Sequence, residues 1–178
     1  MSWTDERIDQ LKPYELNPRH QQNPRYDELK ASIRARGLDD TPVPQAHIEV
    51  WQADAEGMYD VQRSDCKKAQ ARGVLQADAQ GRYHFSSILA EAYPIPDDGP
   101  VGDMLRATKR HPWRPAHLHF LIKAPGYQTL ITHVFRNGDQ YLDSDAVFGV
   151  RESLIANWLP QADGRYLVEF DFVLNPVR

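Results

Sequence analysis

From Thr41 onward, apolar residues recur at every second position. His47–Trp51 alternates Ile48 and Val50 against Glu49, and Tyr83 and Phe85 flank His84. Residues 117–122 place Leu118 and Phe120 on one side, with His117 and His119 on the other. Residues 130–135 fit a further strand. Val168, Phe170, Phe172 and Leu174 alternate with Glu169 and Asp171, the cleanest half-buried strand pattern in the chain. A period of two is that of β-strands with one face covered. Turn residues separate these runs: AEG at 55–57, DAQG at 78–81, RNGD at 136–139 and QADG at 161–164. A short helix is expected around residues 152–157.

The first forty residues read differently. They are polar and helix-compatible, with one candidate helix at about residues 25–36. Pro24 suits its first turn and Gly37 its C-terminal stop. Leu29 and Ile33 give it only a narrow apolar stripe, so it needs a surface to lie on. Two segments are therefore expected: an extension over residues 1–40 and a mainly β domain, a sandwich, over residues 41–178.

Composition agrees. The chain has 178 residues, enough for one domain with a proper core. Thirteen prolines and ten glycines punctuate it too often for a helical bundle. The net charge of −4 gives no reason to expect nucleic acid or an acidic membrane as a main partner. No apolar run approaches the roughly 18 residues of a transmembrane helix. Cys66 is the only cysteine, which excludes a disulfide framework, and the polar, acidic start is not a secretory signal. The cytoplasm is the expected compartment.

Of seven histidines only His117 and His119 form a tight pair. Two apart in a strand, they present both imidazoles to the same side, where one metal ion can reach them. By itself the pair leaves a metal site and a solvent-facing or hydrogen-bonded pair both open. No glutamate follows shortly after, no His-x-Asp or His-x-Glu occurs, and no Cys-x-x-Cys is present. The chain does offer tyrosines beside punctuated turns, Tyr59 in EGMYD and Tyr93 in EAYPIP. A phenolate is a hard, strongly donating oxygen ligand suited to a ferric ion, and at neutral pH it needs a strong Lewis acid to shed its proton.

The segments WQADAEGMYD, AYPIPDDGPVGDMLRATKRHPWRPAHLHF, APGYQTLITHVF and DQYLDSDAVFGV, in that order, resemble the intradiol ring-cleaving dioxygenases. They look closest to the hydroxyquinol and catechol 1,2-dioxygenase branch. The match runs from about Thr41 to Pro176, and its core is R-P-A-H-x-H preceded by two tyrosines. The resemblance implies a β-sandwich and one non-haem Fe(III) per chain, held by Tyr59, Tyr93, His117 and His119. Tyr59 and His117 would be equatorial, and Tyr93 and His119 axial. It implies a catechol-type diol and O2 as substrates, with hydroxyquinol, catechol or chlorocatechol as candidates, and a muconate-type diacid as product. Tyr93 would leave the metal and take a substrate proton, and Arg114 would sit over the substrate ring. His133 stands where many catechol enzymes have glutamine; it either approaches the metal site or sits in the sheet. His111 and Trp113 are expected to be structural, as are Tyr83, Tyr127, Tyr141 and Tyr166. Asp143 and Asp145 are expected to cap a following helix or order their loop.

The front of the chain departs from that family. Full-length relatives have a helical N-terminal segment that builds their dimer, then a G-P-F/Y-type strand that walls the substrate cleft. Neither is recognisable before TPVPQAHIEVW, so the wall is expected to be missing or replaced, and a homodimer remains open. Residues 11–40 instead resemble the opening of ParB-type partition proteins, where an N-P-R element precedes a short helix. With seven basic against eight acidic residues, the first forty carry no charge suited to autonomous DNA binding. A gene fusion follows as an expectation. A non-catalytic iron-binding remnant is the competing one.

Overall fold

A computed structural model describes residues 41–63 and 69–177. The helix expected at 25–36, Cys66 and the partition-like stretch lie outside these residues. The central layer is a five-stranded sheet in the order β2-β1-β5-β6-β7. Its strands are β1 (His47–Trp51), β2 (Arg72–Gln76), β5 (His117–Lys123), β6 (Leu130–Arg136) and β7 (Ile155–Ala156). All neighbours are antiparallel except β6 and β7. Two small ladders accompany it: β3 (Tyr93–Pro94) with β4 (Trp113–Arg114), and β8 (Trp158–Pro160) with β9 (Tyr166–Val168).

The period-two pattern sorts the faces of the sheet as expected. Ile48, Val50, Leu118, Phe120, Ile122 and Val134 are buried together on one side. Tyr83, Phe85, Val168, Phe170, Phe172 and Leu174 pack over them as the second layer. Phe120 is the hub, with ring centroids 4.8 Å from Phe172 and 6.2 Å from Phe85. Tyr83 Oη donates to the Phe170 carbonyl at 2.8 Å, tying the two covering segments together. Burying a side chain of this size stabilises the fold by about 2 kcal/mol, so this apolar seam anchors the sheet whose other face carries the site.

Two expectations are corrected, and one element was not foreseen. The clean alternation at 168–174 is a paired strand only as far as Val168; beyond it, Phe170, Phe172 and Leu174 pack on the core without a ladder. Alternation reports which side chains are covered, while a strand also needs a neighbour for its N–H and C=O groups. Residues 152–157 form a 3-10 turn (Glu152–Leu154) that runs into β7, because Phe135 pairs with Ile155 and recruits that segment to the sheet. A helix not foreseen, α1 (Pro100–Ala107), follows the YPIPDDG turn. Its signals were Pro100 at the first helical position and Val101, Met104 and Leu105 at helical spacing. The turn glycines behave as expected: Gly57, Gly81, Gly138 and Gly164 all have φ near +70° to +80°. Among the described residues no helix is long and apolar enough to cross a membrane.

Candidate metal centre

Beside the apolar seam, β5 turns His117 and His119 to the opposite face. Register decides what meets them. In β1, Trp51 pairs with His119; in β6, Phe135 pairs with His117 and His133 with His119. Trp51 lies flat on His119, 5.0 Å between centroids and 5° between planes. His117 is 2% exposed, and its Nδ1–H donates to the Pro115 carbonyl at 2.7 Å. That bond fixes the tautomer and leaves Nε2 without a proton, as a ligand atom must be.

The two tyrosines arrive by different routes. The β3–β4 ladder sets Tyr93 directly opposite Arg114, three residues before His117. Tyr59 is delivered by a tight loop organised around Asp54, whose Oδ1 accepts the Glu56 and Met58 N–H groups at 3.0 and 2.9 Å. Arg63 ties the Asp54 carboxylate to Glu56, and Gln62 Oε1 accepts the Tyr59 N–H at 2.8 Å. Gly57 lets this loop lie on Tyr93, since a Cβ there would stand 2.7 Å from Tyr93 Cβ.

The four side chains converge on one spot. Tyr59 Oη lies 2.7 Å from both Tyr93 Oη and His119 Nε2. Tyr93 Oη is 3.5 Å from His117 Nε2, and the two imidazole Nε2 atoms are 3.1 Å apart. Neighbouring donors bonded to one ion at about 2.0–2.2 Å lie roughly 2.8–3.6 Å apart, so two phenols and two imidazoles at these separations fit one metal ion. His133 also belongs to the cluster: ring nitrogens of His117, His119 and His133 lie within 4.8 Å of one another. Tyr59 Oη lies closer than that to His119 Nε2 and Tyr93 Oη to His117 Nε2, and the hardness of these oxygens suits a ferric ion better than three imidazoles alone.

Arg114 lies against this group, its Nη1–H donating to His117 Nε2 at 3.0 Å. Its Nε–H donates to Asp145 Oδ1 at 3.1 Å, with the two side chains 6% and 2% exposed. Electrostatics follow from burial. Loss of solvent, then the charge of Arg114, holds the His117 imidazolium well below its ordinary range. Burial first, then His133 and Arg114, pushes His119 down to about 3. His133 is also lowered, by burial and then Arg114. Burial, then the hydrogen bond shared with Tyr93, raises the Tyr59 phenol above its usual value. His117 and His119 are thus neutral at any ordinary pH.

Of the residues expected to be structural, Trp113, Tyr141, His111 and Tyr83 have packing or hydrogen-bond partners, whereas Tyr166 is 45% exposed. Trp113 stacks on Tyr141 at 5.3 Å, His111 meets Ser144 Oγ at 2.9 Å, and Tyr83 packs on Phe120. Asp145 orders its own loop as expected, accepting the Gly149 N–H at 2.7 Å. No helix follows it, and its second partner, Arg114, was not legible from the sequence. Trp51 was also missed. Its signal was its place at the end of an alternating run, on the side opposite Ile48 and Val50.

The fold is the mainly β fold of the intradiol dioxygenases. The solved hydroxyquinol 1,2-dioxygenase from Pseudomonas putida DLL-E4 matches with a TM-score of 0.72 and 42% identity, over 76% of this chain and 52% of that one. The chain belongs to the dioxygenase family, whose family model matches residues 22–176. It is 67% identical over 143 residues to a 6-chlorohydroxyquinol 1,2-dioxygenase of Cupriavidus pinatubonensis, covering 80% of this chain and 52% of that protein. It is 32% identical to a chlorocatechol 1,2-dioxygenase of the same species, over 96% of this chain and 64% of the relative. The chain thus spans about half to two thirds of these relatives' lengths. The family match and the partition-like stretch overlap over residues 22–40.

Proposed function

We propose that this chain holds one Fe(III) through Tyr59, Tyr93, His117 and His119. With it, the chain cleaves a hydroxyquinol- or catechol-type diol between its two hydroxyl-bearing carbons, using O2. The observation that carries this reading is the meeting of those four donor atoms, from three separate stretches of chain, with neighbours 2.7–3.5 Å apart. The names of the relatives support the substrate class. When bound, ferric iron supplies the Lewis acidity and electron-accepting character that open a chelated diol to O2.

The chain's own residues do the rest. The Pro115 carbonyl holds His117 in the tautomer that presents Nε2, and Trp51 holds the plane of His119. Tyr93 Oη is the proton acceptor for one diol hydroxyl; it is buried, so the transfer needs no bulk water. Arg114 brings a fixed positive charge into a dry site, where it stabilises negative charge on the ring far more than it would in water.

The test is a visible spectrum of the iron-loaded chain, before and after hydroxyquinol, alongside an oxygen electrode. A tyrosinate-to-iron band and O2 uptake are expected. Tyr93→Phe and His119→Ala are each expected to bleach or shift that band, and an unchanged band in both removes these residues from the ligand set. A coloured protein silent towards hydroxyquinol, catechol and chlorocatechols overturns the catalytic reading and leaves iron binding. For residues 1–40 the N-P-R element supports a leader of partition-protein descent, and the overlapping dioxygenase match bears against it. DNA retention at low salt that vanishes when residues 1–40 are deleted decides between them.

A further inference from the structure

After β6 the chain folds back over the segment that carries Arg114. Asp139 Oδ2 accepts the Ala116 N–H at 3.0 Å, and the Ala146 N–H donates to the Trp113 carbonyl at 3.0 Å. The returning loop then turns tightly around one carboxylate. Asp145 Oδ1 accepts the Val147 N–H at 3.3 Å and Oδ2 the Gly149 N–H at 2.7 Å. Phe148, between them, has a φ of +55°, a left-handed conformation that is costly for a bulky residue. Arg110 secures it from outside: its guanidinium lies 3.8 Å from the Phe148 ring centroid and donates to the Asp145 and Ala146 carbonyls. A loop held in such a conformation is over-determined by its contacts, and those contacts centre on Asp145.

Ordering the loop would need only the two backbone donors. Asp145 also takes the Nε–H of Arg114, and this has a geometric consequence. A guanidinium is planar, with its N–H groups in a fixed fork. Anchoring the Nε edge sets where the other two nitrogens point. Nη1 is directed at His117 Nε2. Nη2 is buried and has no hydrogen-bond partner in the protein. Such a donor is expensive to leave unsatisfied, so its orientation is being maintained against a cost. Gly149 keeps the space beside it clear. A Cβ there would stand 3.1 Å from Asp145 Oδ2 and 3.2 Å from Arg114 Nη2.

We propose that Asp145 is a positioning residue for the diol-cleaving reaction: through its bond to Arg114 Nε it aims the unpartnered Nη2 donor at an oxygen of the bound diol. This rests on the function proposed above. Asp145 does not touch substrate; it fixes the plane of the residue that does. Gly149 is the accompanying specificity of space, since any side chain there crowds both partners.

The experiment compares Asp145→Asn in the parent and in the Arg114→Lys background, using the full iron-loaded chain and hydroxyquinol. In the parent, kcat is expected to fall about 10- to 100-fold, the usual cost of a small misplacement at a reacting centre, with KM within about threefold. In Arg114→Lys, which has no Nε–H to anchor, the same change is expected to cost less than about threefold. A purely structural role would lower both backgrounds equally, and that result overturns the proposal. A second readout needs no iron. In the metal-free chain the Arg114 Nε–H proton resonance, assigned by its loss in Arg114→Lys, is expected to be sharp and slowly exchanging in the parent and lost in Asp145→Asn. If it survives unchanged, the proposal fails. Should Asp145→Asn not fold, Gly149→Ala keeps both charged groups and crowds them where they face the loop, at Asp145 Oδ2 and Arg114 Nη2. It is expected to lower kcat about tenfold with the visible band intact, and an unaltered kcat sinks the idea. A parent chain that turns over no diol defeats the proposed function instead, and the Nε–H comparison still decides whether Asp145 holds Arg114.

Discussion

Loading iron into this chain is expected to expel one proton fewer when Tyr59 is replaced by phenylalanine. The count comes from the site. At pH 7 the imidazoles have nothing to give: burial keeps His117 neutral and places His119 at about 3. His117 already presents a bare Nε2, because its only ring proton is committed to the Pro115 carbonyl. The protons that must leave are therefore phenolic. Ionising an ordinary phenol at pH 7 costs about 4 kcal/mol, and Tyr59 costs more, since burial and the Tyr93 bond raise its pKa. With two phenolic protons lost, the apparent affinity for iron rises about 100-fold per pH unit. With only the Tyr93 proton lost, in Tyr59→Phe, it rises about tenfold per unit. A water ionising on the bound metal steepens both slopes equally, so the difference of one is the quantity predicted. Competition against citrate between about pH 6.5 and 8.5, corrected for the chelator's own protonation, measures the slopes. Calorimetry in buffers of different ionisation enthalpy counts the protons directly. An unchanged count together with an unchanged visible band would refute the reasoning, because Tyr59 could then not be an ionised ligand.

Acid should unfold the metal-free chain early. The folded-state pKa of His119 is depressed below its unfolded value of about 6.5, so the unfolded chain binds more protons; stability is whole above that value and drains away as pH falls towards about 3. His117 acts in the same direction. Thermal melting from pH 8 to 3 checks this; a Tm that holds level from about 6.5 to 4 contradicts the burial of these rings. Gly57→Ala is expected to destabilise the metal-free chain by about 1–3 kcal/mol and to weaken iron retention, since the added Cβ meets Tyr93 Cβ at 2.7 Å. Gly138→Ala is the control: the same positive φ, with open space around it, so only the backbone cost of about 1 kcal/mol remains. Urea unfolding of both separates the contact with Tyr93 from the conformational penalty, and equal losses would deny the contact.

What the sequence settled by itself was local. Period-two alternation placed His117 and His119 on the side away from Leu118 and Phe120, because successive side chains in a strand must alternate. Glycines at 57, 81, 138 and 164 marked turns, because only a residue without Cβ takes those φ values cheaply. The motif around R-P-A-H-x-H pointed to the family without any coordinates. Tertiary structure decided the rest. Tyr93 reaches the site through its pairing with Arg114, and Tyr59 through a loop resting on Tyr93 at Gly57. Trp51 and His133 flank His119 through the registers of β1 and β6. Asp145 meets Arg114 only because a distant loop folds back over β4. The same limit misjudged residues 169–174, whose alternation was real but whose ladder was absent, and the helix at Pro100–Ala107 that a turn-rich stretch concealed. Side-chain alternation and turn chemistry are set by a residue and its immediate neighbours, whereas strand pairing and loop closure bring together groups tens of residues apart. The contacts that justify such closure exist only once the whole core has formed.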